Sequence, residues 1–225
     1  AIAGSKMRHN LELDLFGGEP LMNPEVVKHV INYVRRREFE TGKNIKLTLT
    51  TNGTLLNDDI IQFLNDNRVM LVLSLDGKKE THDNMRPFPN KTGSYDAAVR
   101  GFKKVIESRN GKNYYLRGTY THFNPHFAED TLDMTKIGKE LSVEPVVGID
   151  EPYVLTEADL PVLYEEYDKL ARAYLQKRRE GDAFDFFHFN VALDNGPCVA
   201  KRLAGCGAGH EYFAITPEGD IYPCH

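Results

Sequence analysis

The chain of 225 residues is 41% hydrophobic and 27% charged, a composition typical of a soluble globular protein. Its formal net charge of −5 disfavours a nucleic-acid-binding protein, since such proteins usually carry an excess of basic residues. No apolar run reaches the roughly 18 residues that a membrane span needs, and the first residues contain no apolar signal segment. We therefore expect a cytoplasmic protein with neither nucleic acid nor a membrane as its partner.

Five short segments rich in Leu, Val, Thr and Tyr predict strands, at 11–16, 45–51, 69–75, 114–121 and 141–147. Amphipathic helical patterns lie between them, as in 26–34 and 95–106, where apolar residues recur at the 3.6-residue period. Strands that alternate with helices predict a parallel sheet with helices packed outside it. The spacing of these units indicates an α/β barrel or part of one.

A longer helix is predicted to follow residue 155, because Thr156 and Asp159 form a capping box at its start. The helical pattern places Glu165 and Glu166 on its solvated face. A strand is predicted at 183–193, and glycine becomes frequent after residue 195. The chain is thus predicted to have three segments: a barrel part (1–150), a connecting helix and strand (151–195) and a cysteine-containing part (196–225).

Candidate ligand-binding residues follow the predicted strands. The first strand runs into Gly17, Gly18 and Glu19, and later strands end in Thr51 and Asn52, in Ser74 and Asp76, and near 121–124. In parallel α/β folds a ligand binds at the carboxyl ends of the strands, so we expect these residues to share one edge. Taken singly, each of these residues could instead be present only because its residue type forms turns at strand ends. As a set they favour a ligand site.

All three cysteines, Cys198, Cys206 and Cys224, lie near the end of the chain. Their clustering in an otherwise cysteine-free sequence indicates an intracellular metal site. The segment "EYFAITPEGDIYPC" predicts a hairpin that turns at 217–219 and brings Cys224 beside Cys206. A tetrahedral zinc site that includes His225 is one alternative. For Cys198, a buried structural thiol is another.

Three motifs, "DLFGGEPLMN", "TLTTNGTLLND" and "LVLSLDGKKETHDNMR", resemble in order and spacing the core of a radical S-adenosylmethionine (SAM) enzyme. The terminal segment resembles the beginning of a SPASM auxiliary-cluster domain, whose opening pattern Cys206, Gly219 and Cys224 match. The segments "NYYLRGTYTH", "LSVEPVV" and "GPCVAKRLAGCGAGHEYFAITPEGDIYPCH" are similar to the maturases of SCIFF peptides. The resemblance implies a partial (β/α)6 radical SAM barrel without its first strand, followed by the start of a SPASM domain.

The CxxxCxxC loop of the family, which holds the SAM-cleaving [4Fe–4S] cluster, does not occur in this sequence. The resemblance implies that this loop precedes residue 1 and that further SPASM cysteines follow residue 225. We therefore expect the chain to be a fragment that does not cleave SAM alone.

The resemblance also implies which residues bind SAM. Those that match the family's contact to the SAM amino group are Gly17, Gly18 and Glu19. Those that match positions lining its methionyl and ribose groups are Thr51, Asn52, Ser74 and Asp76. Either Arg86 or Arg117 could pair with the SAM carboxylate, with a surface or structural ion pair as the alternative for each. The backbone of 146–147 could flank the adenine, although a buried strand explains these valines equally well.

SAM and [4Fe–4S] clusters are the implied cofactors, and Cys198, Cys206 and Cys224 are the implied ligands of one auxiliary cluster. The implied partners are an electron donor and a small cysteine-rich precursor peptide. The implied reaction is reductive cleavage of SAM, hydrogen abstraction from the peptide, and formation of a thioether between cysteine and threonine. No residue can be named as a catalytic base.

Two other functions share parts of this evidence. Another SPASM peptide-modifying enzyme, such as a sulfatase-maturing type, would carry the same motifs. A non-catalytic zinc- or peptide-binding module would retain only the barrel. Five histidines lack metal-ligand spacing, and most are expected to be surface or hydrogen-bonded core residues: His82, His122, His126, His188 and His210.

Overall fold

The computed structural model describes residues 2–5, 7–190, 207–209 and 211–224. The chain forms two compact units, Ala1–Phe189 and Asn190–His225. The three segments predicted from the sequence remain a prediction. Among the described residues, no helix combines the length and the apolar character that crossing a membrane requires.

The first unit contains a six-stranded sheet in which each strand runs parallel to its neighbours and the strand order follows the chain. Its strands are β1 (Asn10–Leu15), β2 (Asn44–Thr51), β3 (Val69–Ser74), β4 (Tyr114–Tyr120), β5 (Glu140–Pro145) and β6 (Asp185–Phe186). The predicted parallel α/β fold is therefore confirmed. Sequential parallel order is the order in which successive βα units build a barrel.

Helices connect these strands, and the first two thirds of the chain follow the predicted alternation. The helices in the described residues are α1 (Pro24–Thr41), α2 (Asp58–Asp66), α3 (Lys79–Met85), α4 (Tyr95–Ser108), α5 (Phe127–Met134) and α6 (Leu160–Arg179). The short α3 and α5 were not predicted, because two turns carry too few apolar positions to establish a period. Asn23 caps the start of α1, where its side chain accepts from the Val26 N–H, and Gly42, with φ of +64°, caps its end.

The two faces of the sheet differ in character. On one face the paired positions are apolar across the strands, as in the row of Leu49, Leu71 and Tyr114, and they pack into the helix-covered core. On the opposite face the register aligns polar residues, as in the row of Ser74, Arg117 and Ser142. Parallel sheets usually bury both faces. Here one face forms the apolar core, whereas the opposite face carries polar side chains, of which Ser74 and Ser142 are buried and Arg117 is exposed.

Two glycines allow α4 to approach the turn after β2. A Cβ on Gly53 would lie 2.2 Å from the ring of Phe102, and a Cβ on Gly101 would lie 2.4 Å from the carbonyl oxygen of Gly53. Gly53 also has φ of +77°, a conformation that other residues rarely adopt. The turn that carries Thr51 and Asn52 is therefore held against a fully buried phenylalanine.

Within the described residues, the sixth strand is shorter than the sequence pattern predicted. In the described part of the predicted segment, 183–190, Asp185–Phe186 is extended and Phe187–Phe189 forms a 3₁₀ turn, while residues 191–193 lie outside the described residues. This turn brings the ring of Phe189 to 5.0 Å from that of Phe186. Such packing requires the chain to leave the extended conformation, in which the two side chains would point to opposite faces.

Helix α6 is preceded by the predicted capping box of Thr156 and Asp159. The prediction that Glu166 lies on the solvated face is wrong, since this residue is 1% exposed, whereas Glu165 is exposed. The Glu166 carboxylate accepts hydrogen bonds from the Ala128 N–H at 2.9 Å and from Lys169 Nζ at 2.6 Å. It thereby satisfies a backbone donor at the start of α5.

Within the second unit, β7 (Ala214–Ile215) and β8 (Ile221–Tyr222) form an antiparallel hairpin. Its turn contains Gly219 with φ of +95°, and the Thr216 N–H donates to the Asp220 carbonyl. This is the hairpin expected from the sequence.

Candidate functional site at the carboxyl edge of the sheet

Glu19 joins the loop after β1 to the end of β2. Its Oε1 accepts hydrogen bonds from the Leu21 N–H at 3.0 Å and from the Thr51 hydroxyl at 2.8 Å. Its Oε2 accepts from the Asn52 N–H at 2.7 Å. Hydrogen bonds to a charged acceptor are the stronger kind, so this carboxylate fixes the two loops relative to each other. The structure thus brings together three residues that the sequence placed at one edge.

Gly17 and Gly18 lie immediately before this carboxylate and remain open. Both are exposed, and no heavy atom lies within 4 Å of the Cβ that either would carry. Gly17 has φ of +141°, which strongly favours glycine. Their backbone groups are accessible to a ligand on a loop whose position Glu19 fixes.

Thr51 and Asn52 use most of their polar atoms within the protein. The Thr51 hydroxyl donates to Glu19 and accepts from the Gly53 N–H at 3.0 Å. The Asn52 Oδ1 accepts from the Thr54 N–H and hydroxyl at 3.0 and 2.8 Å. These contacts orient the turn. The side-chain NH₂ group of Asn52 is left available to donate a hydrogen bond to a ligand.

Asp76 and Arg86 form a bidentate ion pair. Arg86 Nε lies 2.6 Å from Oδ2 and Nη2 lies 3.1 Å from Oδ1. Oδ1 also accepts from the Thr119 N–H at 2.9 Å, so the buried carboxylate connects β3, the end of α3 and β4. Arg86 therefore forms a structural ion pair, which was the alternative to its binding the SAM carboxylate. Both Asp76 oxygens have partners.

Arg117 is in a different situation on the polar face of the sheet. It pairs in register with Ser74 on β3 and Ser142 on β5. Its side chain is exposed, and among the described residues no hydrogen-bond or ion-pair partner contacts its guanidinium. Burial raises the pKa of Glu144, but hydrogen bonds from Ser142 and His188 lower it more strongly, so that the net pKa is below its ordinary value. The nearby charge of Arg117 adds a smaller lowering effect. The structure thus brings predicted residues Ser74 and Arg117 side by side.

The valines considered for adenine follow β5. The Val146 N–H donates to the Tyr120 carbonyl at 2.9 Å, and Val147 is 87% exposed. A buried strand therefore does not explain Val147, because β5 ends at Pro145. Its exposed side chain lies just beyond the carboxyl end of β5.

Two sets of polar contacts were not predicted from the sequence. A hydrogen-bonded chain runs from Tyr120 through Tyr167 and His188 to Glu144, with successive distances of 3.2, 2.8 and 2.9 Å. At the end of β4, His122 Nδ1 lies 2.8 Å from Asp159 Oδ1. No local pattern signals these contacts, because their partners are 21 to 47 positions apart.

Of the predicted metal ligands, Cys224 is described and is an exposed free cysteine. Cys198 and Cys206 lie outside the described residues. No group of three or more His, Cys, Asp or Glu side chains that could hold a metal occurs within the described part of the chain.

A sequence model of the Radical SAM superfamily matches residues 11–134, which is just over half of the chain. A cysteine-type anaerobic sulfatase-maturating enzyme of Clostridium novyi is 26% identical over 242 aligned residues, covering 99% of this chain and 60% of that protein. An AdoMet-dependent heme synthase of Methanosarcina barkeri is 36% identical over 234 residues, an alignment that covers 94% of this chain and 62% of that protein. The chain thus spans about three fifths of the length of these relatives.

The fold also matches solved structures. One of anSMEcpe with bound AdoMet and Kp18Cys peptide has a TM-score of 0.69 and 18% sequence identity. The alignment covers 82% of this chain and 52% of that one. At this identity the likeness concerns the fold.

Proposed function

Because this chain belongs to the radical SAM superfamily, we propose that it is the SAM-binding part of a peptide-modifying maturase. The proposed reaction forms thioether cross-links between cysteine and threonine in a small, cysteine-rich ribosomal peptide. The partners would be this precursor peptide and an electron donor. The ordered sequence motifs and the similarity to a sulfatase-maturating enzyme support a peptide substrate.

The observation that carries the proposal is the loop that Glu19 fixes. Proteins of this superfamily use SAM and a [4Fe–4S] cluster. An ammonium group needs accessible oxygen acceptors, and the open backbone at Gly17 and Gly18 supplies them beside a carboxylate. The residues present therefore fit the methionyl end of SAM. Glu19 would act mainly by holding this loop in place, since three hydrogen bonds already occupy its oxygens.

For the SAM carboxylate we assign Arg117 in preference to Arg86. A guanidinium that already donates twice to Asp76 would have to give up a buried partner in order to bind a second carboxylate. Arg117 has its donors available on the polar face, beside the Ser74 position that the resemblance also implies. Guanidinium groups bind carboxylates in a two-point geometry, which would fix the methionyl group.

When bound, SAM and a reduced [4Fe–4S] cluster would together supply the means to abstract a hydrogen atom from the peptide. The residues of this chain would bind and orient the cofactor and the peptide at the carboxyl edge of the sheet.

We further propose that Cys198, Cys206 and Cys224 bind one auxiliary [4Fe–4S] cluster in a SPASM domain. Gly209, three positions after Cys206, donates its N–H to the Pro223 carbonyl at 3.1 Å, which supports an approach of this backbone to the residue before Cys224. Thiolates are the usual ligands of such clusters. The exposure of Cys224 is compatible with an interaction that lies outside the described hairpin.

The cluster assignment is tested with full-length protein in which each cysteine is changed to alanine and which is reconstituted anaerobically. We expect about four fewer irons per chain, retained SAM cleavage and loss of cross-linking, since one [4Fe–4S] cluster would be missing. A variant that keeps its full iron content and still forms the thioether would remove that cysteine from the cluster. Zinc without iron and sulfide in the wild type would instead support a non-catalytic module.

The reaction is tested by incubating the full-length protein with SAM, a reductant and a precursor peptide that contains cysteine and threonine. A cross-link would appear by mass spectrometry as the loss of a pair of hydrogen atoms with both residues joined. The second candidate is a sulfatase-maturating activity, which the similarity to the Clostridium novyi enzyme favours. Conversion of a cysteine in a sulfatase-derived peptide, without cross-linking of the precursor, would select this candidate.

A further inference from the structure

We propose that His122, oriented by Asp159, accepts the proton of the substrate cysteine thiol at the carboxyl edge of the sheet. This inference rests on the proposed function, because it takes a cysteine-containing peptide as the substrate. The proposal adds a proton acceptor at the end of β4.

The position of His122 is fixed on two sides. Its Nδ1 lies 2.8 Å from Asp159 Oδ1, and its backbone N–H donates to the Tyr153 carbonyl at 3.0 Å. The imidazole also packs edge-on against Phe123, with ring centroids 5.9 Å apart. These contacts hold the ring two residues beyond β4, on the edge that carries the Glu19 loop.

The protonation of the ring follows from its partner. Asp159 is 7% exposed, and its Oδ2 accepts from the Thr156 N–H at 2.7 Å and from the Thr156 hydroxyl at 2.9 Å. The pKa of Asp159 is held below its ordinary value. The main cause is the hydrogen bond from the Thr156 N–H, and the contacts from His122 and the Thr156 hydroxyl add to it. An ionised carboxylate is only an acceptor, so neutral His122 carries its proton on Nδ1. Its Nε2 therefore has a free lone pair.

The environment leaves this lone pair accessible. The His122 side chain is 49% exposed, and no hydrogen-bond partner contacts Nε2 among the residues that the structure describes. In His188, by contrast, both nitrogens have partners, Tyr167 and Glu144. His82 is likewise engaged at both nitrogens, by the Asp76 N–H and Ser94. His122 thus combines a carboxylate on one nitrogen with access to the other.

The proposed step is a proton transfer. The S–H bond of the peptide cysteine breaks, its proton bonds to Nε2 through the nitrogen lone pair, and the electron pair remains on sulfur as a thiolate. The resulting imidazolium lies beside the Asp159 carboxylate, which stabilises its charge. The proton then passes from the half-exposed ring to water. The ordinary pKa of a thiol lies roughly two units above that of imidazole.

The test uses full-length, cluster-reconstituted protein with SAM and the cysteine- and threonine-containing precursor peptide. In His122→Asn, the side-chain amide can still donate to Asp159, but no group can accept the thiol proton. We expect the ratio of modified peptide to 5′-deoxyadenosine to fall about 100-fold, as is usual when a general base is removed. In His122→Ala, added imidazole should restore part of the product.

The matched control is His126→Ala. This histidine is also on the loop between β4 and α5, and its Nδ1 lies 3.5 Å from Glu166 on α6. We expect an unchanged product ratio in this control. In the wild type, the peptide should protect His122 but not His126 from diethylpyrocarbonate, as measured by mass spectrometry. Equal product ratios for the wild type and His122→Asn, or no protection of His122, would overturn the inference.

Asp159 is a positioning residue in this proposal, and it also caps the turn before α6. A double-mutant comparison separates these roles. Asp159→Asn should lower the product ratio in the wild type and have no further effect in the His122→Ala background. Equal effects in both backgrounds would assign Asp159 a structural role alone and overturn its link to His122. Absence of any peptide modification by the wild type would overturn the proposed function, and this inference with it.

Discussion

Asp76 holds Arg86 through both carboxylate oxygens while it accepts a third hydrogen bond from the backbone of β4. The side chain of Asp76 is 3% exposed, whereas that of Arg86 is 36% exposed. A buried carboxylate of this kind depends on its cation, because few water molecules can replace the lost contacts. The pair joins the end of β3, the end of α3 and β4.

Arg86→Ala should destabilise the fold by about 2–3 kcal/mol, less than the loss for a fully buried pair, since water reaches part of the guanidinium. Urea unfolding followed by circular dichroism measures this change. Arg172→Ala is the control, because its ion pair with Asp168 is exposed on both sides and should contribute less than about 1 kcal/mol. Equal stability of the Arg86 variant and the wild type would contradict the structural role.

Arg117→Ala should lower SAM affinity and leave stability unchanged, the opposite of the effect expected for Arg86→Ala. Loss of a charge-assisted contact to the SAM carboxylate should weaken SAM binding by about 1.5–3 kcal/mol, roughly 10- to 100-fold, without a change in the unfolding midpoint. Calorimetric titration of the full-length protein with SAM measures the affinity. Lys46→Ala is the matched control, since Lys46 is a cation on the same polar face near the start of β2. If only the Arg86 variant lost SAM affinity, the assignment of the two arginines would be reversed.

Glu19→Ala should lower SAM affinity while the protein stays folded. The loss of hydrogen bonds to the Leu21 and Asn52 N–H groups frees the loop after β1, so the expected cost to binding is about 1.5–3 kcal/mol. Fluorescence or calorimetric titration provides the affinity. Glu25→Ala, on the exposed first turn of α1, is the control. Unchanged affinity in the Glu19 variant would exclude this residue from the site.

Glu166 should make stability depend on acid pH. Burial alone would raise the pKa of this carboxyl, but Lys169, the Ala128 N–H and His126 together hold it below its ordinary value. The group therefore stabilises the fold above its unfolded pKa of about 4.3, and this contribution is lost as the pH falls through the lower folded value. Glu166→Gln should be less stable at pH 7 and should lose less stability on acidification than the wild type.

Unfolding curves recorded across this pH range provide the measurement for Glu166. Glu165→Gln is the matched control, because the adjacent carboxylate is exposed and should leave the acid dependence unchanged. Parallel pH profiles for Glu166→Gln and the wild type would contradict the prediction.

The sheet and its main helices could be predicted because their apolar periods are long. β2 and α4 each present several residues at a fixed spacing to a continuous core. The common edge of Gly17, Thr51 and Ser74 followed from parallel strand direction alone. The prediction failed where a partner elsewhere in the chain decides the environment. Glu166 is such a case, because a helical pattern cannot show that the α5 backbone N–H of Ala128 needs its carboxylate.

The arginines illustrate a second limit. Sequence motifs placed Arg86 and Arg117 near the same ligand group, but only the three-dimensional structure shows that Asp76 already binds the first. The pairing of His122 with Asp159 was hidden for the same reason, since the two residues are 37 positions apart. Spacing along a strand predicts which edge a residue occupies. It does not predict whether its polar atoms are already in use.

The alternation of side chains along the strands gives neighbouring residues two different tolerances to substitution. Leu49 and Tyr120 are in the core, and a change in their volume would disturb the helices packed on them. Their neighbours Thr48 and Thr119 point to the opposite, polar face. Substitutions at such alternate positions can therefore change the chemistry of the polar face without repacking the interior. On a scaffold of this kind, the chemistry of one face can change one strand position at a time while the other face keeps its packing.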